Sequence, residues 1–363
     1  MTWTLPITKS ELTLLYKDKV DLSIFEREPV NDEDLIANFL VSKLWRLNNL
    51  YTIVDKDGER VNFRMNYAQH VVYAAVITHP RIIILKSRQQ GISTFWLISY
   101  LDDALTLPDI NVGLMAQGMS EASTLLKRTK LAWNTFPDAV RSFLQLSLDR
   151  DNSGELSWNS GSTLFIRTSF RSATLQRLHI SEFGKIANKY PDRAMETKTG
   201  TLQAIRPGNP VVIESTAEGD NEFKLMWNQA VLSEAKIAMG TKRGYAGKDF
   251  MPVFLSWVHD PDCVSSEHEE ESANETKYFE QLELELNRPI TQEQRNFWIS
   301  QYRELGESLY QEYPATPDEA FLKVNDGSYY GAAYLSHIAK KGRVQPNLYD
   351  SSLEVFVAMD LGM

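Results

Sequence analysis

From Met65 to about Asp260, short apolar runs alternate with longer stretches whose apolar residues recur at helical spacing. That alternation is the pattern of an α/β sheet. It predicts strands at Arg81–Leu85, Val112–Ala116, Arg177–Ile180, Val211–Ser215 and Val253–Trp257. Glu155–Trp158 and Thr163–Thr168 flank Asn159-Ser160-Gly161-Ser162, which predicts a hairpin inserted before the third of these strands. Upstream the chain is polar and acidic. Leu35, Ile36, Phe39, Leu40, Leu44 and Trp45 fall at helical spacing there and predict a helix over Asp32–Asn48. Downstream, Ser265 to about Leu309 reads as acidic helices, Asp326–Asn347 as a glycine- and tyrosine-bearing connector, and Leu353–Met359 as a new strand.

These changes of pattern divide the chain into a helical lead-in (residues 1–60), an α/β core (61–264), a helical subdomain closing it (265–325), a linker (326–352) and a last strand (353–363). With 363 residues, 43% hydrophobic and 24% charged, the composition is that of a globular protein with ample core. No apolar run is long enough to span a membrane, and no basic segment followed by an apolar one opens the chain. A single cysteine, Cys263, excludes an internal disulfide framework and fits a reducing compartment. The histidines show no zinc-ligand spacing. A net charge of −10 argues against a surface that binds nucleic acid all over, and leaves room for a local basic groove.

One run carries chemistry. The strand Arg81–Leu85 passes directly into Lys86-Ser87-Arg88-Gln89-Gln90-Gly91-Ile92-Ser93-Thr94, and helical character resumes from Ile92 to Leu105. A strand–loop–helix aims backbone N–H groups and a helix N-terminus at one spot, an anion site. The spacing fits the phosphate loop G-x-x-x-x-G-K-[ST] with two departures: Lys86 stands at the first glycine and Ile92 at the lysine. Ser93 keeps the place of the Mg²⁺-binding hydroxyl. Lys86 and Arg88 are both candidates for the cation that grips the phosphates. A buried strand ending in a basic turn is also compatible with any α/β protein, so the loop needs company.

Company follows in order. Leu178-His179-Ile180-Ser181-Glu182 is a strand ending in a carboxylate, where a phosphate-loop ATPase carries the acid that activates water. Ser181 replaces the usual aspartate that supports Mg²⁺ through water. Asn66-Tyr67-Ala68-Gln69 precedes the loop strand, where a Gln amide can read adenine beside an aromatic ring. Glu214-Ser215-Thr216-Ala217-Glu218-Gly219 closes the next strand, at a turn that relays hydrolysis in helicase-like motors. Arg171, with Arg167 and Arg177 as rivals, is a candidate arginine finger. Together these predict a P-loop NTPase of RecA/ASCE-like type: a mostly parallel sheet flanked by helices, with a helical lead-in and a small helical lid.

This order of motifs resembles the large terminase subunit of tailed bacteriophages, the ATPase that drives double-stranded DNA into an empty capsid. The resemblance rests on Tyr67 and Gln69, the Lys86–Thr94 loop, His179–Lys185, Ser215–Gly219 and, most specifically, Glu312-Tyr313-Pro314-Ala315-Thr316-Pro317-Asp318-Glu319-Ala320-Phe321. It covers roughly residues 60–363 and leaves the lead-in unmatched. It implies ATP and Mg²⁺ as cofactors. Gln69 would contact adenine. Lys86 and Arg88 would hold the phosphates, with Ser87 and Thr94 in the same loop and the amides of Gln89, Gln90, Gly91, Ile92 and Ser93 assisting. Ser93, Ser181 and Glu182 would serve the metal, partly through water, Glu182 would also activate the attacking water, Thr216 would couple hydrolysis to movement, and Arg171 would act on a neighbouring subunit's nucleotide.

The resemblance also implies partners: double-stranded DNA, the portal protein, the small terminase subunit, and further copies in a ring, a pentamer, on the portal, the isolated chain being a monomer. The setting would be the host cytoplasm. Lys127, Arg128, Lys130, Lys185 and Lys189 are candidate DNA contacts or simply solvated helix faces. Family members continue into an RNase H-like nuclease, and Phe356–Gly362 looks like its first strand, with Asp360 as a metal ligand. One carboxylate cannot hold two metals, so a chain truncated there is expected to lack nuclease activity. Two other readings stand beside this one: a helicase-like translocase, disfavoured because no second α/β set follows residue 260, and an assembly protein with a decayed nucleotide site.

Overall fold

The computed structural model describes residues 8–17, 19–170 and 174–322. Ten strands are present among them: β1 (Thr52–Val54), β2 (Arg60–Asn62), β3 (Arg81–Lys86), β4 (Asn111–Met115), β5 (Leu148–Asp151), β6 (Glu155–Trp158), β7 (Thr163–Arg167), β8 (Arg177–Ile180), β9 (Val211–Ser215) and β10 (Met251–Leu255). Eight of them form one sheet in the order β10-β3-β9-β8-β4-β7-β6-β5. From β10 to β7 every pairing is parallel, and β6 and β5 add antiparallel at the edge. The predicted hairpin is β6–β7. The loop strand β3 and the acid strand β8 are separated by β9, the strand order of the ASCE class of P-loop NTPases.

Alternation in β3 explains the three layers. Ile82 and Ile84 enter a cluster with Val72, Phe95 and Trp96 on one face. Ile83 and Leu85 enter another with Phe183, Ile213 and Trp227 on the opposite face. Both sets are fully buried, so the strand reads as a continuous apolar run, as a doubly covered parallel strand must. The helices Ala273–Leu286 and Gln292–Leu305 build a third cluster around Phe279, Trp298 and Trp257.

Two expectations are corrected, and two elements appear that none covered. The helix foreseen over Asp32–Asn48 is broken: a wide turn, Leu35–Phe39, ends at Leu40, and a new helix, Lys43–Asn49, starts where the Ser42 side chain caps the Trp45 N–H. The strand foreseen at Val253–Trp257 sits two residues earlier, because Ser256 caps a tight turn over Trp257–His259. The edge strand β5 and the β1–β2 hairpin, turning over Asp55–Gly58, were not foreseen.

The lead-in helices share the main core. Leu12, Tyr16, Leu44 and Leu47 are buried in the same cluster as Phe95 and Trp96. The Tyr16 hydroxyl lies 2.6 Å from Nδ1 of the buried His70, whose Nε2 has no partner. Burial pushes the His70 imidazole down from 6.5 to about 4. As pH falls below 6.5 the unfolded chain takes up a proton that the native one refuses, so stability drops until pH reaches about 4. The loss is about 3–4 kcal/mol. Urea midpoints measured between pH 7 and 4 should show this slope in wild type and a shallower one in His70→Gln. Equal slopes would show that His70 does not carry it.

Candidate functional site

The site lies over the carboxyl ends of β3, β9 and β8. Lys86 is the last residue of β3. The loop after it is held from outside by its own backbone. Ser87 N–H donates to the Leu255 carbonyl at 3.0 Å and Arg88 N–H to the Glu312 carbonyl at 2.9 Å. Asn66 Nδ2 donates to the Gln90 carbonyl at 3.2 Å and Gln69 Nε2 to the Gly91 carbonyl at 3.0 Å. Gln89 (φ 59°) and Gly91 (φ 69°) take left-handed conformations. Such turns make the N–H concavity that receives anions. Gly91 is required twice, since a Cβ there would also stand 2.7 Å from Gln69 Nε2. Beyond it begins the helix Ile92–Thr106, whose first-turn N–H groups have no acceptor within the helix.

Five side chains converge inside. Lys86 Nζ is 3.0 Å from Glu182 Oε1 and 3.7 Å from Glu214 Oε2. Ser93 Oγ is 3.0 Å from Ser181 Oγ and hydrogen-bonds Glu214 Oε1. Burial alone would depress the Lys86 ammonium, but the Glu182 and Glu214 carboxylates outweigh it and hold it well above the usual lysine value. Burial would likewise raise the Glu214 carboxyl, but Lys86 and the bonds from His179 and Ser93 hold it well below the usual range. Both groups are therefore charged at neutral pH. Glu182 sits at φ 54°, ψ 49°, a left-handed conformation worth about 1–3 kcal/mol of strain for a non-glycine residue. That strain places its carboxylate between Lys86 and Lys185, whose Nζ is 3.2 Å from Oε2. Thr216 is buried with an unpartnered hydroxyl. Beside it Ser215 Oγ accepts the Gly184 N–H at 3.0 Å, tying the end of β9 to the helix that Glu182 starts.

Two cavities are relevant, one touching the loop at Ser93 and one lined by Tyr67 from the helix before β3. One, about 270 Å³, is lined by Ser93, Ala116, Gln117, Arg128, Ser181 and Glu182. The other, about 240 Å³, is lined by Tyr67, Val258, His259, Pro261, Arg288 and Gln294 among others. In the second, the Tyr67 and His259 rings stack at 5.8 Å and 22°.

Several predicted residues fall elsewhere. Gln69 has both ends of its amide occupied, Oε1 accepting Asn66 N–H and Nε2 donating to the loop, and is only 4% exposed. One N–H and one lone pair of the amide thus serve the capping box of its helix and the loop, leaving one of each for any further contact. Arg88 turns outward, with Nε 3.3 Å from Glu312 Oε2, so of the two loop cations Lys86 is the one that points into the site. Arg177 pairs with Asp103 and Arg167 with Glu155. Lys130 pairs with Asp151. Arg171 and Asp360 lie outside the described residues.

Glu214 is the residue that sequence reasoning passed over. Its signal was a lone carboxylate in the fully buried run Val211–Ser215. Among the described residues no group of three or more His, Cys, Asp or Glu is arranged to hold a metal. The site nevertheless fits a nucleotide–Mg²⁺ pair: a hydroxyl at Ser93, an inward ammonium, a helix N-terminus, and buried oxygens on Glu214 and Thr216 without hydrogen-bond partners. No helix among the described residues is long and apolar enough to cross a membrane.

No family model matches the chain, and no curated protein matches it. Solved structures do. It is similar to the Thermus phage P74-26 large terminase ATPase domain, with a TM-score of 0.43 and 13% identity over 80% of this chain and 99% of that one. It is similar to the HK97 bacteriophage large terminase, with a TM-score of 0.46 and 10% identity over 76% of this chain and 54% of that one. It is also similar to the large terminase of a thermophilic bacteriophage in complex with ATP-gamma-S, with a TM-score of 0.31 and 11% identity over 56% and 44% of the two chains. At these values the likeness is one of outline, and the fold rests on the chain's own strand order.

Proposed function

We propose that this chain hydrolyses ATP as the ATPase portion of a phage large terminase subunit, using hydrolysis to move double-stranded DNA. The observation that supports the chemistry is the meeting of Lys86, Ser93, Ser181 and Glu182 over β3 and β8, the two strands predicted to supply them. In this reading the triphosphate lies on the loop amides and Lys86. The base enters the cavity beside Tyr67 and His259, and the γ-phosphate faces the cavity walled by Glu182 and Arg128. Ser93, with Ser181 behind it, would hold Mg²⁺, which would supply positive charge against that developing on the phosphates.

The ion pair of Lys86 with Glu182 suggests the order of events. A phosphate arriving on Lys86 competes for the ammonium and releases Glu182, which then accepts a proton from the attacking water. Thr216 would sense the change through the β9 end that Ser215 ties to the helix at Glu182. Arg171 of a neighbouring copy, the portal protein, the small terminase subunit and a pentameric ring belong to the same proposal, supported by the motif resemblance. So does a setting in the host cytoplasm. The domain divisions at 60, 264, 325 and 352 are part of it too.

A decayed site is the second reading, favoured by the same ion pair if nothing displaces it. The purified chain, alone and with portal and linear DNA, should hydrolyse ATP in a Mg²⁺-dependent way. No nucleotide binding and no turnover under any of these conditions would favour the decayed site.

A further inference from the structure

The acid strand of this chain ends in Ser181-Glu182, so the position beside the catalytic carboxylate lacks the acid that stands behind a metal's water shell. The strand order supplies another candidate. β9 lies between β3 and β8, with Glu214 paired in register with Ile84 and with Ile213 opposite Ile180. From there the Glu214 side chain, fully buried, reaches the hydroxyls proposed for the metal position. Its Oε1 accepts from Ser181 Oγ at 3.1 Å and from Ser93 Oγ, and lies 3.2 Å from His179 Nε2. Its Oε2 has no hydrogen bond, and its nearest cation is Lys86 at 3.7 Å.

A fully buried carboxylate in the middle of a sheet is costly unless it is paired and hydrogen-bonded. An apolar residue there would serve the core better, as Val212 and Ile213 do on either layer. We infer that Glu214, reaching across from the neighbouring strand, supplies the carboxylate that orders the bound divalent cation's water shell, the post that Ser181 leaves without an acid. Mg²⁺ keeps several waters and takes one or two carboxylates besides the phosphates. A hydroxyl at Ser93 with one carboxylate behind it meets that demand without a cluster of acidic ligands. Glu214 is then a positioning residue, acting through metal-bound water and Ser93. This inference rests on the nucleotide-site reading above.

The test separates the two. Wild type and Glu214→Gln are titrated with a fluorescent ADP in EDTA and in Mg²⁺, and Mn²⁺ binding in the presence of ADP is followed by the loss of the free-ion EPR signal. Glu214→Gln should bind the nucleotide in EDTA much as wild type does and lose about 10–100-fold in Mn²⁺ affinity, the usual cost of removing an outer-shell partner. Adding Ser181→Asp to Glu214→Gln should restore most of the loss, because the acid returns to the neighbouring position. Should Glu214→Gln fail to fold by circular dichroism, Glu214→Asp carries the same expectation, keeping the charge beside Lys86 and withdrawing the carboxylate by one methylene. Unchanged Mn²⁺ affinity, a loss equal in EDTA and Mg²⁺, or failure of Ser181→Asp to rescue overturns the inference and leaves the nucleotide site standing. Wild type that binds no nucleotide overturns both.

Discussion

Glu182→Gln is expected to lower kcat for ATP by about 10²–10⁴-fold, the range for loss of a general base, while ADP affinity holds or rises. Gln keeps the size of the side chain and its place at the start of the helix Phe183–Lys189, but it accepts no proton. It also removes the charge that now faces Lys86 at 3.0 Å, which leaves the ammonium freer for phosphate. Turnover and affinity should therefore move separately, the signature of a group used in the transition state and not for ground-state binding. Lys86→Ala should do the reverse first, weakening nucleotide binding. Steady-state turnover and a fluorescent-nucleotide titration on the same samples decide it; turnover of Glu182→Gln within threefold of wild type would remove Glu182 from catalysis.

The second large effect is on stability. Asp102, fully buried on the loop helix Ile92–Thr106, accepts Arg46 Nε at 2.9 Å and Nη2 at 2.7 Å and the Tyr51 hydroxyl at 2.8 Å. Arg46 Nη1 also donates to the Leu40 carbonyl at 2.7 Å. Arg46→Leu leaves Asp102 as an unpaired buried charge, at a cost of about 3–5 kcal/mol. Against a domain stability of about 5–15 kcal/mol that is a large share. Replacing both, Arg46→Leu with Asp102→Leu, should cost much less than the single change, since no charge is then left unpaired. Urea midpoints at unchanged m-value read this directly. A single variant within about 1 kcal/mol of wild type would show that water or another cation reaches Asp102.

The fold was legible where one physical rule dominates. Strands covered on both faces must be apolar throughout, so β3 and β9 were visible as runs. The loop was visible because its polar residues interrupt such a run at phosphate-loop spacing. Glu182 was visible as the residue ending β8. What was hidden is what depends on strand order. Glu214 meets Ser181 and His179 across 33 and 35 residues, and Ser93 across 121, and no local pattern reports that β9 lies between β3 and β8. Gln69 shows two local rules at once. Asn66 and Gln69 also spell a helix capping box, and the amide serves it. At Ser42 and Ser256 capping prevails over apolar periodicity, which is why the Asp32–Asn48 helix breaks and the last core strand ends early.

Arg88 joins the phosphate loop mechanically to a distant part of the chain. Its N–H is bonded to the Glu312 carbonyl and its guanidinium pairs with the Glu312 carboxylate, so the loop is tethered to a segment more than two hundred residues downstream. Pro314 in turn accepts a long bond from Trp257 N–H, and Thr316 caps the turn Pro317–Ala320 that follows. A tether read in one direction lets nucleotide occupancy tighten or slacken that segment. Thermodynamic reciprocity requires the other direction as well. On the proposed reading, tension on the segment around Glu312 would be felt at the loop as a change in nucleotide affinity, so load would set how fast the spent nucleotide leaves.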